Sequence, residues 1–327
     1  MNQLVDRFGR EHTYLRISVT DRCNLRCVYC MPPEGIDVRR KDLILSFEEI
    51  QRIAHVFCQM GITKIRLTGG EPLVRKDLVT LIGQLSALPG IKALAMTTNA
   101  VLLKDKARAL RAAGLSALNI SLDSLNKERF KAITLRDDWD NVMAGIYASL
   151  AEGFDSIKLN VVVINGTNAD EILDFVEFVK DKDVNVRFIE YMPFKDNHWQ
   201  AAGVFSYADM KRTIEEKYTL VPRFASKGDV AKDFYIKGHS GTVSFITSMT
   251  DSFCGSCNRL RLTADGSIKS CLFFAPEIHL RDVLRAGITD DELRVLIRQA
   301  VAQKPESHPP MEELAAGDNR AMVEIGG

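Results

Sequence analysis

Tyr14-Leu15-Arg16-Ile17-Ser18-Val19 reads as a short β run, and Cys23-Asn24-Leu25-Arg26-Cys27-Val28-Tyr29-Cys30 follows it directly. The cysteines are spaced C-x3-C-x2-C, with an aromatic residue before the last of them. A [4Fe–4S] cluster is usually held by four thiolates, so three leave one iron open to another ligand. Whether the preceding strand opens a parallel sheet decides the fold, and the next segments answer that.

Strand-like and helix-like stretches alternate over the first two thirds of the chain. Lys64–Thr68 reads as a second strand, followed by 94–98, 118–122, the Val-rich 157–164 and 184–191. Between and after them lie apolar-periodic helical stretches. The first is opened by the capping box Ser46 and Glu49 and closed by Gly61. Six βα units in sequence predict a parallel sheet with helices outside, an α/β barrel. After Pro222 the pattern changes to short strands, with a hairpin signal at Asp265-Gly266, and then two helices, the second capped by Thr289 and Glu292. The expected architecture is a (βα)6 TIM-like barrel over residues 1–221. A smaller C-terminal α+β layer, 222–327, closes its mouth.

Composition narrows the functions. The 327 residues are 46% apolar, enough for a substantial core, and carry 43 basic and 43 acidic residues. A chain of zero net charge is no nucleic-acid binder by bulk charge, so any phosphate site must be local. No apolar run is long enough to span a membrane, and residues 1–10 lack signal or transit character, so a cytoplasmic, reducing location is expected. There, clustered cysteines are metal ligands or catalytic groups rather than disulfides. Cys58 stands apart, in an apolar-periodic stretch, and reads as a buried helix residue.

In parallel βα sheets ligands bind at the C-terminal strand ends. There lie the first three cysteines, Gly69-Gly70-Glu71-Pro72 after the second strand, Thr97 at the third, Ser121 at the fourth and Met192 at the sixth. The two glycines admit a ligand to the backbone, and Glu71 offers an acceptor for a cationic amine. A second trio, Cys254, Cys257 and Cys271, surrounds Arg259 and Arg261, whose side chains leave the same face of a strand. That pair suits a polyphosphate. A zinc site is the competing reading, with His239 or His279 as a fourth ligand. The quoted sequence ends Ile325-Gly326-Gly327, which by itself reads as a frayed terminus.

Together these motifs resemble the radical S-adenosylmethionine (SAM) superfamily and, within it, the GTP 3′,8-cyclase family of molybdenum cofactor biosynthesis. The resemblance runs from Tyr14 to the terminal glycines. It implies a partial barrel and two [4Fe–4S] clusters, held by Cys23, Cys27 and Cys30 and by Cys254, Cys257 and Cys271. It implies SAM bound at the open iron of the first, with Tyr29, Gly69, Gly70, Glu71, Ser121 and Met192 around it. GTP would meet Arg16, Arg66, Thr97, Lys158, Arg259 and Arg261, with its guanine at the second cluster. Arg259, Arg261 and the tail residues Gly326 and Gly327 would take part in catalysis. The implied reaction is hydrogen abstraction from C3′ of GTP by a 5′-deoxyadenosyl radical, attack of the carbon radical on C8, and reduction to 3′,8-cyclo-7,8-dihydro-GTP. The implied partners are a flavodoxin- or ferredoxin-type reductant, a second copy of the chain as a homodimer, and a cyclic pyranopterin monophosphate synthase that receives the product. Two readings compete: a radical peptide maturase with an auxiliary cluster, and a non-catalytic metal-binding scaffold. Three features depart from the family pattern. Lys158 falls near the start of its strand, Ser244 stands where a glycine is expected, and Leu135 stands where a small residue is usual. His12, His55, His198 and His308 read as ordinary core or surface residues.

Overall fold

A computed structural model of the chain describes residues 3–224, 228, 230–275, 278–317 and 320–326. Among them, the strands are β1 (Tyr14–Ser18), β2 (Lys64–Thr68), β3 (Ala93–Thr98), β4 (Ala117–Ser121), β5 (Ser156–Val163) and β6 (Asn185–Glu190), followed by β7 (Leu220–Pro222), β8 (Lys232–Ile236), β9 (Thr242–Ile246), β10 (Arg259–Leu262), β11 (Ser267–Lys269) and β12 (Ile278–His279). All belong to one sheet in the order β12-β11-β10-β1-β2-β3-β4-β5-β6-β9-β8-β7.

The first six strands are parallel neighbours, as the alternating pattern predicts. The C-terminal strands do not form a separate layer. β10 pairs in parallel with β1, and β9 pairs in parallel with β6, so the parallel run reaches eight strands before hairpins finish both edges. The boundary expected after residue 221 falls inside β7, which pairs with β8. Strand pairing across so long a stretch of chain has no local signature, which is why the spacing of elements missed it.

Burial alternates along the strands. On β5, Ile157, Leu159, Val161 and Val163 are buried beneath the helices, whereas Lys158, Asn160 and Val162 face the other side and line a cavity. The helices Phe47–Gln59, Leu78–Ser86, Trp139–Ala151 and Ile172–Phe178 supply the facing apolar surfaces, with Ile53, Phe57, Leu81, Ile146 and Phe175 fully buried. The capping boxes at Ser46/Glu49 and Thr289/Glu292 both form. A helix that the periodicity did not predict, Lys127–Thr134, lies after β4, with the Asn126 side chain accepting from the Arg129 N–H at its start. No described helix is long and apolar enough to cross a membrane.

Candidate functional site

The inward-facing side chains of the parallel run enclose a cavity of about 380 Å³. All six cysteines of the two trios line it, and none of the seven cysteines is in a disulfide. Cys58 lies apart on the helix Phe47–Gln59, where burial pushes its thiol up to about 11.

The first trio sits on the loop after β1, and the Gly-Gly turn after β2 holds that loop. Gly69 has φ of 138°, and a Cβ there would stand 2.4 Å from the Thr20 carbonyl oxygen. A Cβ on Gly70 would stand 2.3 Å from the Arg22 carbonyl oxygen. Only glycine lets the two backbones approach so closely. The Gly70 N–H donates to Thr20 O and the Glu71 N–H to Arg22 O, at 2.9 and 2.8 Å. On the other side, the Arg26 and Val28 N–H groups donate to the carbonyls of Thr134 and Ile133, at the end of the helix Lys127–Thr134. Leu135, the departure noted above, caps that helix in the left-handed region at φ 53°, which accounts for the small residue expected there.

Glu71 does not meet the expectation of a free acceptor. Its buried carboxylate accepts from the Leu73 N–H at 3.0 Å, the Thr98 hydroxyl at 2.7 Å and the Asn99 N–H at 2.6 Å, and it does not line the cavity. Burial pushes it up to about 7. Its work is to fix the loop after β3, from which Asn99 donates to Asn24 at 2.8 Å and reaches the Cys23 sulfur at 3.8 Å. The remaining expected SAM-site residues, Tyr29, Gly69, Gly70, Ser121 and Met192, do line the cavity. The Tyr29 hydroxyl donates to Asp123 at 2.7 Å, and the other Asp123 oxygen accepts from the Val162 N–H at 2.9 Å.

Between the trios lies a wall of cations. Strand register places Arg261, Arg16 and Arg66 side by side across β10, β1 and β2, with Arg259, Tyr14 and Lys64 in the next row. Lys158 and Arg187 add charge from β5 and β6. Lys158 thus reaches the cavity from inside the sheet, which resolves its unexpected strand position. Thr97 also lines the cavity. Lys64 and Arg187 were missed by motif reading, although inward alternation with Arg66 and with Ile189 would have found them.

This wall is short of counter-charge. Burial lowers Lys158 to about 8 and Arg187 to about 10, and the neighbouring arginines push the same way. Burial and Arg259 likewise lower Arg261 to about 10. Burial opposes ionisation of Tyr14, yet Arg66, Arg16 and Lys64 together draw its phenol down to about 7. Buried nitrogens of Arg16, Arg66, Arg187, Arg259 and Arg261 have no hydrogen-bond partner, nor does the Thr97 hydroxyl. Buried donors without partners are costly, so these groups are set for an anionic ligand with many acceptors. The carboxylate facing them is Asp233 on β8, tied to Ser244, whose hydroxyl donates to it at 2.6 Å and accepts from Asn185 at 2.8 Å. The serine that replaces an expected glycine therefore fixes Asp233 from behind the cavity wall.

At the second trio, burial would raise the Cys257 thiol, but Arg259 and Lys304 overcome it and hold it at about 6. The alternative zinc ligands are elsewhere. His239 packs edge-on against Tyr218 at 5.1 Å, and His279 pairs with the Ser267 hydroxyl at 2.7 Å; neither lines the cavity. Among the described residues no three His, Cys, Asp or Glu side chains are arranged around a single metal ion. The two trios and the cations open onto the same cavity. His308 is not ordinary: it lines this cavity and packs edge-on against Phe273 at 5.0 Å.

The tail returns to the strand ends. The short helix Met322–Ile325 packs beside Met31 and Cys30. Gly326 has φ of 80°, and a Cβ there would stand 2.7 Å from the Thr68 hydroxyl and 2.8 Å from the Ser18 Cβ. Arg39 pairs with Glu324 at 3.1 Å and Arg320 with Asp265 at 3.0 Å, which hold the segment down. Gly327 lies outside the described residues.

Comparison with known proteins agrees with this geometry. Residues 17–179 match the family model for the radical SAM superfamily, and 184–310 match that for Molybdenum Cofactor Synthesis C. A mitochondrial GTP 3′,8-cyclase of Arabidopsis thaliana is 49% identical over 100% of this chain and 84% of its own length. The GTP 3′,8-cyclase of Petrotoga mobilis is 44% identical over 93% of this chain and 94% of its own. Molybdenum cofactor biosynthesis protein 1 of Mus musculus is 46% identical over 99% of this chain, which spans 51% of that protein. Several other relatives are likewise about twice as long as the matched region. Among solved structures, Streptococcus suis SuiB bound to its precursor peptide SuiA superposes with a TM-score of 0.62 at 15% identity, over 96% of this chain and 75% of that one, a likeness of fold.

Proposed function

This chain belongs to the GTP 3′,8-cyclase family of the radical SAM superfamily, and on that premise we propose that it converts GTP to 3′,8-cyclo-7,8-dihydro-GTP, the first step of molybdenum cofactor biosynthesis. The observation that carries the reading is one cavity lined by two cysteine trios with unpartnered guanidinium nitrogens between them. A [4Fe–4S] cluster at Cys23, Cys27 and Cys30 supplies, when bound, the electron that cleaves SAM to methionine and a 5′-deoxyadenosyl radical.

This chain's own residues bind and shield. Tyr29, Gly69, Gly70, Ser121 and Met192 surround SAM, with Asp123 holding Tyr29 in place. Arg16, Arg66, Lys158, Arg259 and Arg261, with Lys64 and Arg187 beside them, grip the triphosphate. The phosphate oxygens satisfy the orphan donors and neutralise the mutual repulsion of the cations. So held, the ribose cannot turn away from the radical, and the base is fixed against C3′ for ring closure. The tail residues Met322 and Val323 line the cavity and exclude water from a reactive intermediate.

The same proposal includes a second cluster at Cys254, Cys257 and Cys271 that meets the guanine, a flavodoxin- or ferredoxin-type reductant, a homodimer, a cytoplasmic location, and transfer of product to a cyclic pyranopterin monophosphate synthase. On this reading residues 1–221 carry the first trio and most of the cations, and 222–327 the second trio, Arg259, Arg261 and the tail, although the two share one sheet. The deciding experiment incubates reduced, reconstituted protein with GTP and SAM and measures 5′-deoxyadenosine. GTP-dependent 5′-deoxyadenosine with formation of the cyclised nucleotide supports the proposal; its absence sinks it. About eight irons per chain are expected from two four-iron clusters, and zinc without iron would favour the scaffold reading.

A further inference from the structure

We propose that Lys304 is the positioning and charge-balancing residue of the second trio, a buried ammonium that raises the reduction potential of the cluster held there. The inference rests on the reading that Cys254, Cys257 and Cys271 hold a cluster. Lys304 follows the helix Asp290–Ala302 and is 2% exposed. Its Nζ donates to the Cys257 sulfur at 3.6 Å, to the Arg259 carbonyl at 3.1 Å and to the Ser270 carbonyl. An ammonium has three donors, and all three are used. One reaches a cysteine of the trio directly, and one reaches the residue just before Cys271. Lys304 therefore ties together the two segments that carry Cys257 and Cys271.

A buried ammonium requires a compensating negative charge. Arg10, the other cation behind this trio, has one in Asp6, at 2.6 Å from its Nε. Asp6 also pairs with the buried His12 at 3.1 Å. Arg10 donates to the carbonyls of Cys254 at 2.9 Å, Glu306 at 2.7 Å and Pro305 at 2.6 Å, so it clamps the third cysteine-bearing segment to the stretch that follows Lys304. For Lys304 none of the recorded hydrogen-bond acceptors is a carboxylate; they are one sulfur and two carbonyls. The charge that balances it is the sulfur-ligated group itself.

Positive charge and N–H···S hydrogen bonds stabilise the reduced, more negative state of an iron–sulfur cluster. At the first trio, among the described residues, no ammonium or guanidinium is recorded donating to a sulfur; Arg26 reaches the Cys23 carbonyl instead, at 2.8 Å. The side-chain donor recorded at its sulfurs is the neutral Asn99, at 3.8 Å from Cys23. The cluster at the second trio is therefore the more easily reduced of the two.

The test compares reconstituted wild type, Lys304→Met and Lys304→Arg by iron content and by redox titration followed by electron paramagnetic resonance. A Cys271→Ala sample identifies the first cluster's signal. The expected result is a downward shift of the second cluster's midpoint potential in Lys304→Met, with the first unchanged and the shift largely restored in Lys304→Arg. Loss of the second cluster from Lys304→Met alone supports the role equally. An unchanged second potential, an equal shift of both clusters, or loss of the second cluster from both variants overturns it. Wild type holding only one cluster would instead sink the two-cluster reading, a result distinguishable from all of these.

Discussion

Around Cys23 and Cys27 the buried ionisable neighbours include Glu71 and Asp123, whereas around Cys257 they are Arg259 and Lys304. Burial pushes the Cys23 thiol up to about 11 and Cys27 and Cys30 higher still, and the carboxylates add to the effect. At the second trio the cations win against burial and draw Cys257 down to about 6. Two sites with the same number of sulfurs thus differ in where the balancing charge comes from. At the first no neighbouring cation overcomes burial, and at the second Arg259 and Lys304 do. The difference follows from the strands. Arg259 and Arg261 stand on β10, part of the cationic wall, while the first trio stands on a loop packed on a glycine turn and a buried carboxylate.

Removing one sulfur from each trio tests the contrast most strongly. Cys27→Ala should abolish SAM cleavage, measured as 5′-deoxyadenosine. Cys271→Ala should retain SAM binding but form no cyclised nucleotide; full product from that variant would erase the distinction. Next in size, Arg261→Leu should weaken GTP binding about 100-fold, equivalent to the roughly 1.5–3 kcal/mol of a charged hydrogen bond, with SAM affinity unchanged by calorimetry. Gly326→Ala should lower turnover about tenfold or more, since its Cβ meets Thr68 and Ser18 and its φ of 80° is strained. Its melting temperature should stay near wild type, because a terminal segment contributes little to global stability.

A smaller effect concerns pH. Burial raises Asp123 from 3.8 to about 6, so the folded state holds a proton that the unfolded state has released. That contribution is complete below pH 3.8 and is lost as pH rises through 6. Asp123→Asn should therefore flatten the fall in unfolding free energy over this window, by roughly 1–3 kcal/mol in urea titrations of the apoprotein. An unchanged slope would mean that burial does not set this carboxyl. Smallest, Leu135→Gly should stabilise the protein by about 1 kcal/mol, because glycine takes the left-handed cap without strain. A loss would show that the Leu135 side chain contributes more packing than its backbone costs.

The parallel frame was legible because each of β1–β6 is a short apolar stretch followed by a helical period, with Ser46/Glu49 and Gly61 marking one helix clearly. The six clustered cysteines stood out in the sequence as two groups of three, and the fold brings all six to one cavity. What escaped had no local mark. Nothing near residue 259 announces a partner at Tyr14, yet that pairing brings Arg261 beside Arg16. Glu71 looked like a ligand because its neighbours are glycines; its three donors come from segments 73 and 98–99, which meet it only on folding. His308 lies between Pro305 and Pro309, in a stretch that the fold turns back over Phe273. Asn126 was a readable cap that went unused, and the helix it starts supports the first cysteine loop.

The cavity's surplus of charge has a consequence for selectivity. Seven basic side chains line it, against the carboxylates of Asp123 and Asp233. Such a wall attracts any polyphosphate, because guanidinium and ammonium groups read charge and oxygen geometry rather than the base. If this wall holds the triphosphate as proposed, ATP and pyrophosphate should compete with GTP there, and discrimination among nucleotides would fall to the groups that meet the base. The rate in a nucleotide-rich medium would then follow the ratio of GTP to total polyphosphate rather than the GTP concentration alone.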